Sequence, residues 1–196
     1  MNLMRIAGAG IALLSLANSG WTQDKPKKWK PYQFQGDERY EYKIVMNDQK
    51  GKPPKEIGYV LDIRKKGDDF EVTWSTKSGV SKKEMNQNNL FGAFGAGISP
   101  AWIIMNPMSQ MFVDQLDLKV GEKMSFFGAA TVKVTAEEKV GNRTGLTCQL
   151  IEKKKEEEVV TWEWTVDVEL ALPIKSVTYD QGKEKYRMEL ISYTKG

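Results

Sequence analysis

The sequence predicts a mainly β protein: a strongly curved antiparallel sheet of about nine strands, half-barrel or barrel-like, with two short helices closing one side. Three observations predict it. Apolar residues recur at every second position over most of the chain, short turns rich in Gly, Asn, Asp and Pro separate these runs, and one uncharged segment from Leu90 to Val113 breaks the alternation. The organisation expected is a leader over residues 1–19, a Lys- and Pro-rich linker over 20–31, and a single β-rich domain over 32–196 with a glycine-rich, helical insert at 90–116.

The first 19 residues have the parts of a secretory signal peptide. Arg5 supplies the basic start, Ile6 to Leu16 the uncharged apolar run, and Ala17-Asn18-Ser19 a small-x-small cleavage site. That run falls short of the roughly 20 residues a membrane-spanning helix requires, so no transmembrane span is expected in the mature chain. A buried N-terminal helix is the alternative, and Gly8 and Gly10 in its interior speak against it. No cysteine follows the run, which gives no footing for a lipid anchor. Export to the periplasm is the expected destination, with secretion as the alternative.

Loss of Arg5 from the 29 basic residues leaves 28 against 26 acidic ones, a balance that points to no nucleic-acid partner. The single cysteine, Cys148, excludes an internal disulfide, so the fold depends on apolar burial. Asn142-Arg143-Thr144 is a glycosylation sequon that matters only in a eukaryotic secretory route.

Gly20 to Pro31 carries Trp21 and Trp29 as its large apolar groups and reads as a linker or loosely packed arm, with order expected from near Tyr32. Tyr40, Tyr42, Ile44 and Met46 then define a half-buried strand. After a Pro- and Gly-containing turn, Ile57, Tyr59, Leu61 and Ile63 define a second. Lys65 to Asp69 turns the chain into a third, with Phe70, Val72, Trp74 and Thr76 on one face. These three predict an antiparallel meander with one apolar side.

The C-terminal half has the same grammar. Val132, Val134 and Ala136 form one face, Gly141-Asn142 a tight turn, and Leu146, Cys148 and Leu150 the next face. Val160, Trp162, Trp164, Val166, Val168, Leu170, Leu172 and Ile174 follow at eight consecutive even positions, predicting one dry and one wet face. The apolar parity then moves to Val177 and Tyr179, which predicts a bulge or strand break around Pro173 to Ser176. Asp180-Gln181-Gly182 leads into a last strand with Tyr186, Met188 and Leu190.

In the uncharged segment, Gly92, Gly95, Gly97, Pro100 and Pro107 argue against one continuous membrane helix. Ser99-Pro100 and Asn106-Pro107 each look like an N-cap followed by proline at the first helical position, so two short helices are predicted. Three roles fit them: a plug completing the core, an adaptable methionine- and aromatic-rich wall over an apolar cavity, or a patch that meets a membrane or a protein partner.

The chain has no histidine, which removes Ser-His-Asp and Cys-His catalysis and histidine-held metals. No metal, no cofactor and no enzymatic activity are expected. Cys148, between Leu146 and Leu150 on an apolar face, reads as a buried small hydrophobe. Glycoside hydrolysis needs two spaced carboxylates, but Glu156-Glu157-Glu158 read as a solvated hairpin end, and Glu163, Asp167 and Glu169 as the wet face of their strand. Gly92 to Gly97 lacks the lysine of a P-loop. Trp162 and Trp164 lie among aliphatics without neighbouring basic residues, so they read as core or cavity lining and not as a nucleic-acid stacking platform.

Trp162-x-Trp164, Val166-Asp167, Leu172-Pro173-Ile174-Lys175, Tyr179-Asp180 and Glu189-Leu190-Ile191-Ser192-Tyr193 together resemble the C-terminal part of the periplasmic carriers of outer-membrane lipoproteins, the LolA-like superfamily with its exported half-barrel relatives. The resemblance covers residues 160–194. It implies an antiparallel sheet curled into an open cup, helices at its mouth and an interior able to hold acyl chains. The insert at 90–113 departs from that pattern, and no match is found for the carriers' functional arginine.

The leading expectation is therefore a binding module for a lipid or other apolar ligand, lined by Phe91, Phe94, Trp102, Met105, Met108, Met111 and Phe112 from the insert and by Trp162, Trp164, Val166 and Val168 from the sheet. The second is an interaction protein of the cell envelope whose 90–113 segment docks on a protein partner or membrane surface. The third, an enzyme without histidine, requires two buried carboxylates facing a cleft.

Overall fold

The structure, a computed structural model, describes residues 28–47, 53–79, 117–126, 128, 130–154 and 157–196. Among the described residues nine strands make up one antiparallel sheet: β1 (Glu38–Met46), β2 (Lys55–Lys66), β3 (Asp69–Ser78), β4 (Lys123–Phe126), β5 (Ala130–Val140), β6 (Arg143–Lys154), β7 (Glu157–Val166), β8 (Lys175–Asp180) and β9 (Lys183–Lys195). Their order is β3-β2-β1-β9-β8-β7-β6-β5-β4, an open sheet with β3 and β4 at its edges. No helix occurs among the described residues, and the two predicted helices fall in 80–116, outside them.

Tight turns close the hairpins where the sequence places them. Val140 pairs with Arg143 across Gly141-Asn142, with Gly141 at φ 60°. Gln181 and Gly182, at φ 50° and 73°, join β8 to β9 in the twist that suits a two-residue hairpin. The long-range step is β1 beside β9, which joins the first meander to the second.

Register carries one face across all nine strands. Met124, Val132, Leu150, Trp162, Thr178, Tyr186 and Met46 form one cross-strand row. Val134, Cys148, Trp164, Ser176, Met188, Ile44 and Ile57 form the next. Apolar side chains on this face gather into two clusters. One unites Tyr40, Tyr42, Ile44, Ile57, Tyr59, Leu61 and Ile63 with Leu170, Leu172, Ile174, Met188 and Leu190. The other unites Val132, Val134, Cys148, Trp164 and Val166 with Trp29 and Leu118.

Three features differ from the sequence reading. First, the alternating run from Val160 to Ile174 is not one strand. β7 stops at Val166, and residues 167–174 turn over the sheet, with Leu170 N donating to Asp167 O (3.0 Å) and Glu169 N to Asp167 Oδ1 (3.0 Å). Tyr42 OH donates to Pro173 O (3.0 Å), and Ala171 N donates to Tyr40 OH (3.3 Å), so the tyrosines of β1 hold this connection down. Leu170, Leu172 and Ile174 join the core, and Ala171 and Pro173 between them are buried as well.

Second, packed structure extends back to Trp29, which is only 2% exposed and donates Nε1–H to Leu170 O (2.6 Å). Third, the apolar side of β3 is not dry: Phe70, Val72 and Trp74 are 36%, 39% and 59% exposed. They oppose Lys65, Ile63 and Leu61 and so continue the apolar face of β2 to the sheet edge.

Candidate functional site

The site begins with the residues of β8. Ser176 lies opposite Trp164 on one side and Met188 on the other; Thr178 lies opposite Trp162 and Tyr186. Two hydroxyl residues thus occupy the apolar face along the line that divides the two clusters. The predicted break does fall here, since β8 starts at Lys175, but the parity change is a change of residue type and not of face. The face continues through Ser176 and Thr178, while Val177, on the other side, is also fully buried.

Around this polar seam the indoles are close. The Trp162 and Trp164 rings lie 4.4 Å apart at 31°. Trp162, half-buried, donates Nε1–H to Ser176 Oγ (2.8 Å). Trp164 Nε1 and Tyr186 OH are buried with no hydrogen-bond partner among the described residues. Burial, and then the neighbouring Tyr59, push the Tyr186 phenol well above its usual range, so it is a neutral hydroxyl. An unmet buried donor costs about 1–3 kcal/mol, so each of these two is a polar group that the described fold leaves without an acceptor. A mostly apolar wall with a few fixed polar groups is the usual composition of a small-molecule site.

Of the sheet residues expected to line a ligand site, Trp164 and Val166 are fully buried, packed with Trp29 and Leu118, while Trp162 and Val168 stay partly accessible. Phe91, Phe94, Trp102, Met105, Met108, Met111 and Phe112 lie outside the described residues. The sequence reading placed Tyr186 on the apolar face of the last strand without assigning it to a site, and it missed Ser176 and Thr178. Their signal was available in outline, as hydroxyls at the even positions directly after an apolar even-numbered run. Cys148 is buried, and burial pushes its thiol up to about 12, far from reactive.

The opposite face of β5 to β8 holds a charge network where solvated carboxylates were expected. Lys175 Nζ sits 2.7 Å from Glu138 Oε1 and 3.4 Å from Glu163 Oε1. Thr147 and Thr165 donate to Glu138 Oε2 (3.0 and 2.9 Å), and Gln149 Nε2 donates to Glu163 Oε2 (2.8 Å). Glu163 has only 15% of its side chain exposed. Asp167 is likewise mostly buried against Arg143 (2.7 Å), whereas Glu169, also on Arg143 (3.0 Å), is exposed as expected. Burial lowers the Lys175 ammonium, but its two carboxylates outweigh that and raise it overall, so Lys175 is a fixed cation and not a nucleophile.

Two clefts of about 400 and 300 Å³ flank the 167–171 turn and share Val168 and Glu169. The larger is lined by Asn142, Arg143 and Asp167 among others, the smaller by Lys28, Lys30, Phe34 and Lys195 among others. Both are lined by more polar than apolar surface. Among the described residues no cluster of three or more Cys, Asp or Glu is placed to hold a metal ion, and no helix is long and apolar enough to cross a membrane. No protein-family model matches the chain, and no curated protein matches it significantly.

Proposed function

We propose that this protein is an exported binding module of the cell envelope that holds a lipid, acyl chain or similar apolar ligand against the apolar face of its sheet. The observation that carries this reading is a pair of buried donors on either side of β8, Trp164 Nε1 on β7 and Tyr186 OH on β9, which have no acceptor among the described residues on a mostly apolar sheet face. A ligand with a hydrocarbon body and a carbonyl or carboxyl oxygen supplies both the apolar contact and the missing acceptor. The resemblance of residues 160–194 to periplasmic lipoprotein carriers supports the same ligand class, and with it a sheet curled into a half-barrel with two short helices at its mouth. The signal-like leader supports a periplasmic location.

Native mass spectrometry of the protein purified from an envelope extract, together with displacement of an apolar fluorescent dye by fatty acids, tests the proposal. Bound lipid and saturable displacement are expected. Trp164→Phe with Tyr186→Phe should weaken a fatty acid about tenfold, the worth of about one hydrogen bond, while leaving a hydrocarbon of equal length unchanged. A protein that carries no lipid and does not bind the dye overturns the reading. The exposed apolar strip on β3 favours a second reading, an envelope interaction protein.

A further inference from the structure

The two edges of the sheet are built differently. β4 has four residues and opens on Lys123, which suits an edge that must not pair. β3 has ten residues, contains no proline, and pairs with β2 without a register shift. Among the described residues its outer backbone groups are therefore a regular row with no strand beside them. Beside them Phe70, Val72 and Trp74 are exposed, and the flanking Glu71 and Lys77 are exposed as well. A long, apolar, unbulged edge is the feature that recruits another strand.

We propose that two copies of this chain associate edge to edge through β3, making one continuous antiparallel sheet. Lys66 and Asp69 close the β2–β3 hairpin over a two-residue turn, which directs the backbone groups of the odd residues of β3 to β2 and those of the even residues outward. A second copy must therefore pair even residues with even residues. Two antiparallel registers satisfy this with near-complete overlap, and both are self-complementary. In one, Trp74 faces Trp74 of the second copy and Glu71 faces Lys77 of the second copy. In the other, Trp74 faces Val72 and Lys77 faces Asp69. Either register sets each Lys77 against a carboxylate and each Trp74 against an apolar side chain, the cross-strand pairs that stabilise antiparallel sheets. This pairing is independent of the ligand reading, because Trp162, Trp164 and Tyr186 lie five strands and three strands from the edge.

Sedimentation equilibrium of the purified chain over a concentration series tests the pairing. A dimer is expected. Lys77→Glu, at an exposed position that leaves the fold intact, should weaken it about tenfold by placing like charges in two symmetry-related pairs. Adding Asp69→Lys and Glu71→Lys to that variant should restore it. Val72→Lys with Trp74→Lys should give a monomer whose melting temperature is at least that of the native monomer. A chain that is monomeric throughout, or a dimer indifferent to Lys77→Glu, overturns the proposal.

Discussion

The two apolar clusters share one sheet face but are filled from different places. The cluster on β1, β2 and β9 is covered by the 170–174 connection, a segment tied to the sheet by Tyr40, Tyr42 and the backbone bonds of Ile174 with Thr165 and Leu190. The cluster on β5, β6 and β7 is covered by Trp29 and Leu118, one from ahead of the first strand and one from just before β4. A cover built from a hairpin connection is held by its own strands. The other cover is drawn from distant residues: Trp29 Nε1 donates to Leu170 O (2.6 Å) and the nearby Tyr32 N to Ala171 O (2.9 Å), while Val134 exchanges backbone bonds with Gly121 and Glu122 just after Leu118.

That difference is open to direct attack, and the largest effect is expected where the cover comes from farthest away in sequence. Trp29→Ala should cost about 3–5 kcal/mol in denaturant unfolding, as large-to-small aromatic substitutions in cores do. It should also open the second cluster locally, so that Cys148 becomes reactive to a thiol reagent that does not label the native chain. Leu172→Ala in the first cluster should cost about 2–5 kcal/mol. It should leave Cys148 protected under native conditions, and labelling equal to that of the Trp29 variant would erase the distinction between the clusters.

Gly145 tests how closely β6 meets the end of β7. A Cβ there would stand 2.5 Å from Val166 O and 2.8 Å from its carbonyl carbon, backbone atoms that cannot swing away. Gly145→Ala should destabilise by about 1–3 kcal/mol, the usual cost of overpacking, and should shift the amide resonances of 165–168.

The smallest effect concerns the charged face. Burial pushes the Glu138 carboxyl up, but hydrogen bonds from Lys175, Thr165 and Thr147 outweigh it and hold the group below its ordinary 4.5. Its contribution is complete above that unfolded value and is lost as pH falls through the lower, folded one. Below about pH 5 the native chain should therefore lose stability more steeply than Glu138→Gln, measured by urea midpoints at successive pH values.

Much of the sheet is legible in the sequence because its two sides meet different solvents. Tyr40, Tyr42, Ile44, Ile57, Tyr59, Leu61 and Ile63 are buried as their alternation predicts, and Gly141-Asn142 and Gln181-Gly182 turn where expected. Of the candidate site, Trp162 and Trp164 were legible as apolar-face residues. Tyr186 was legible in the same way, whereas Ser176 and Thr178 carried only a weak signal, because a hydroxyl that faces a core looks, in sequence, like a hydroxyl that faces water. Glu163 was misread for the complementary reason. Lys175 neutralises it across the sheet, and no local pattern announces a partner on another strand.

The sequence by itself determined the strand periodicity, the turns and the single dry face, since these follow from local backbone preferences and from which side chains avoid water. Only the tertiary structure decided that Leu170 to Ile174 is a cover and not a strand, that Trp29 belongs to the core, and that the apolar residues of β3 end at an open edge. Residues 170–174 are all buried, so their alternating apolar side chains mark no wet face, and only the packing separates this cover from a strand. Trp29 and Leu170 meet across 141 positions, a contact that exists only once the sheet has brought its two ends together.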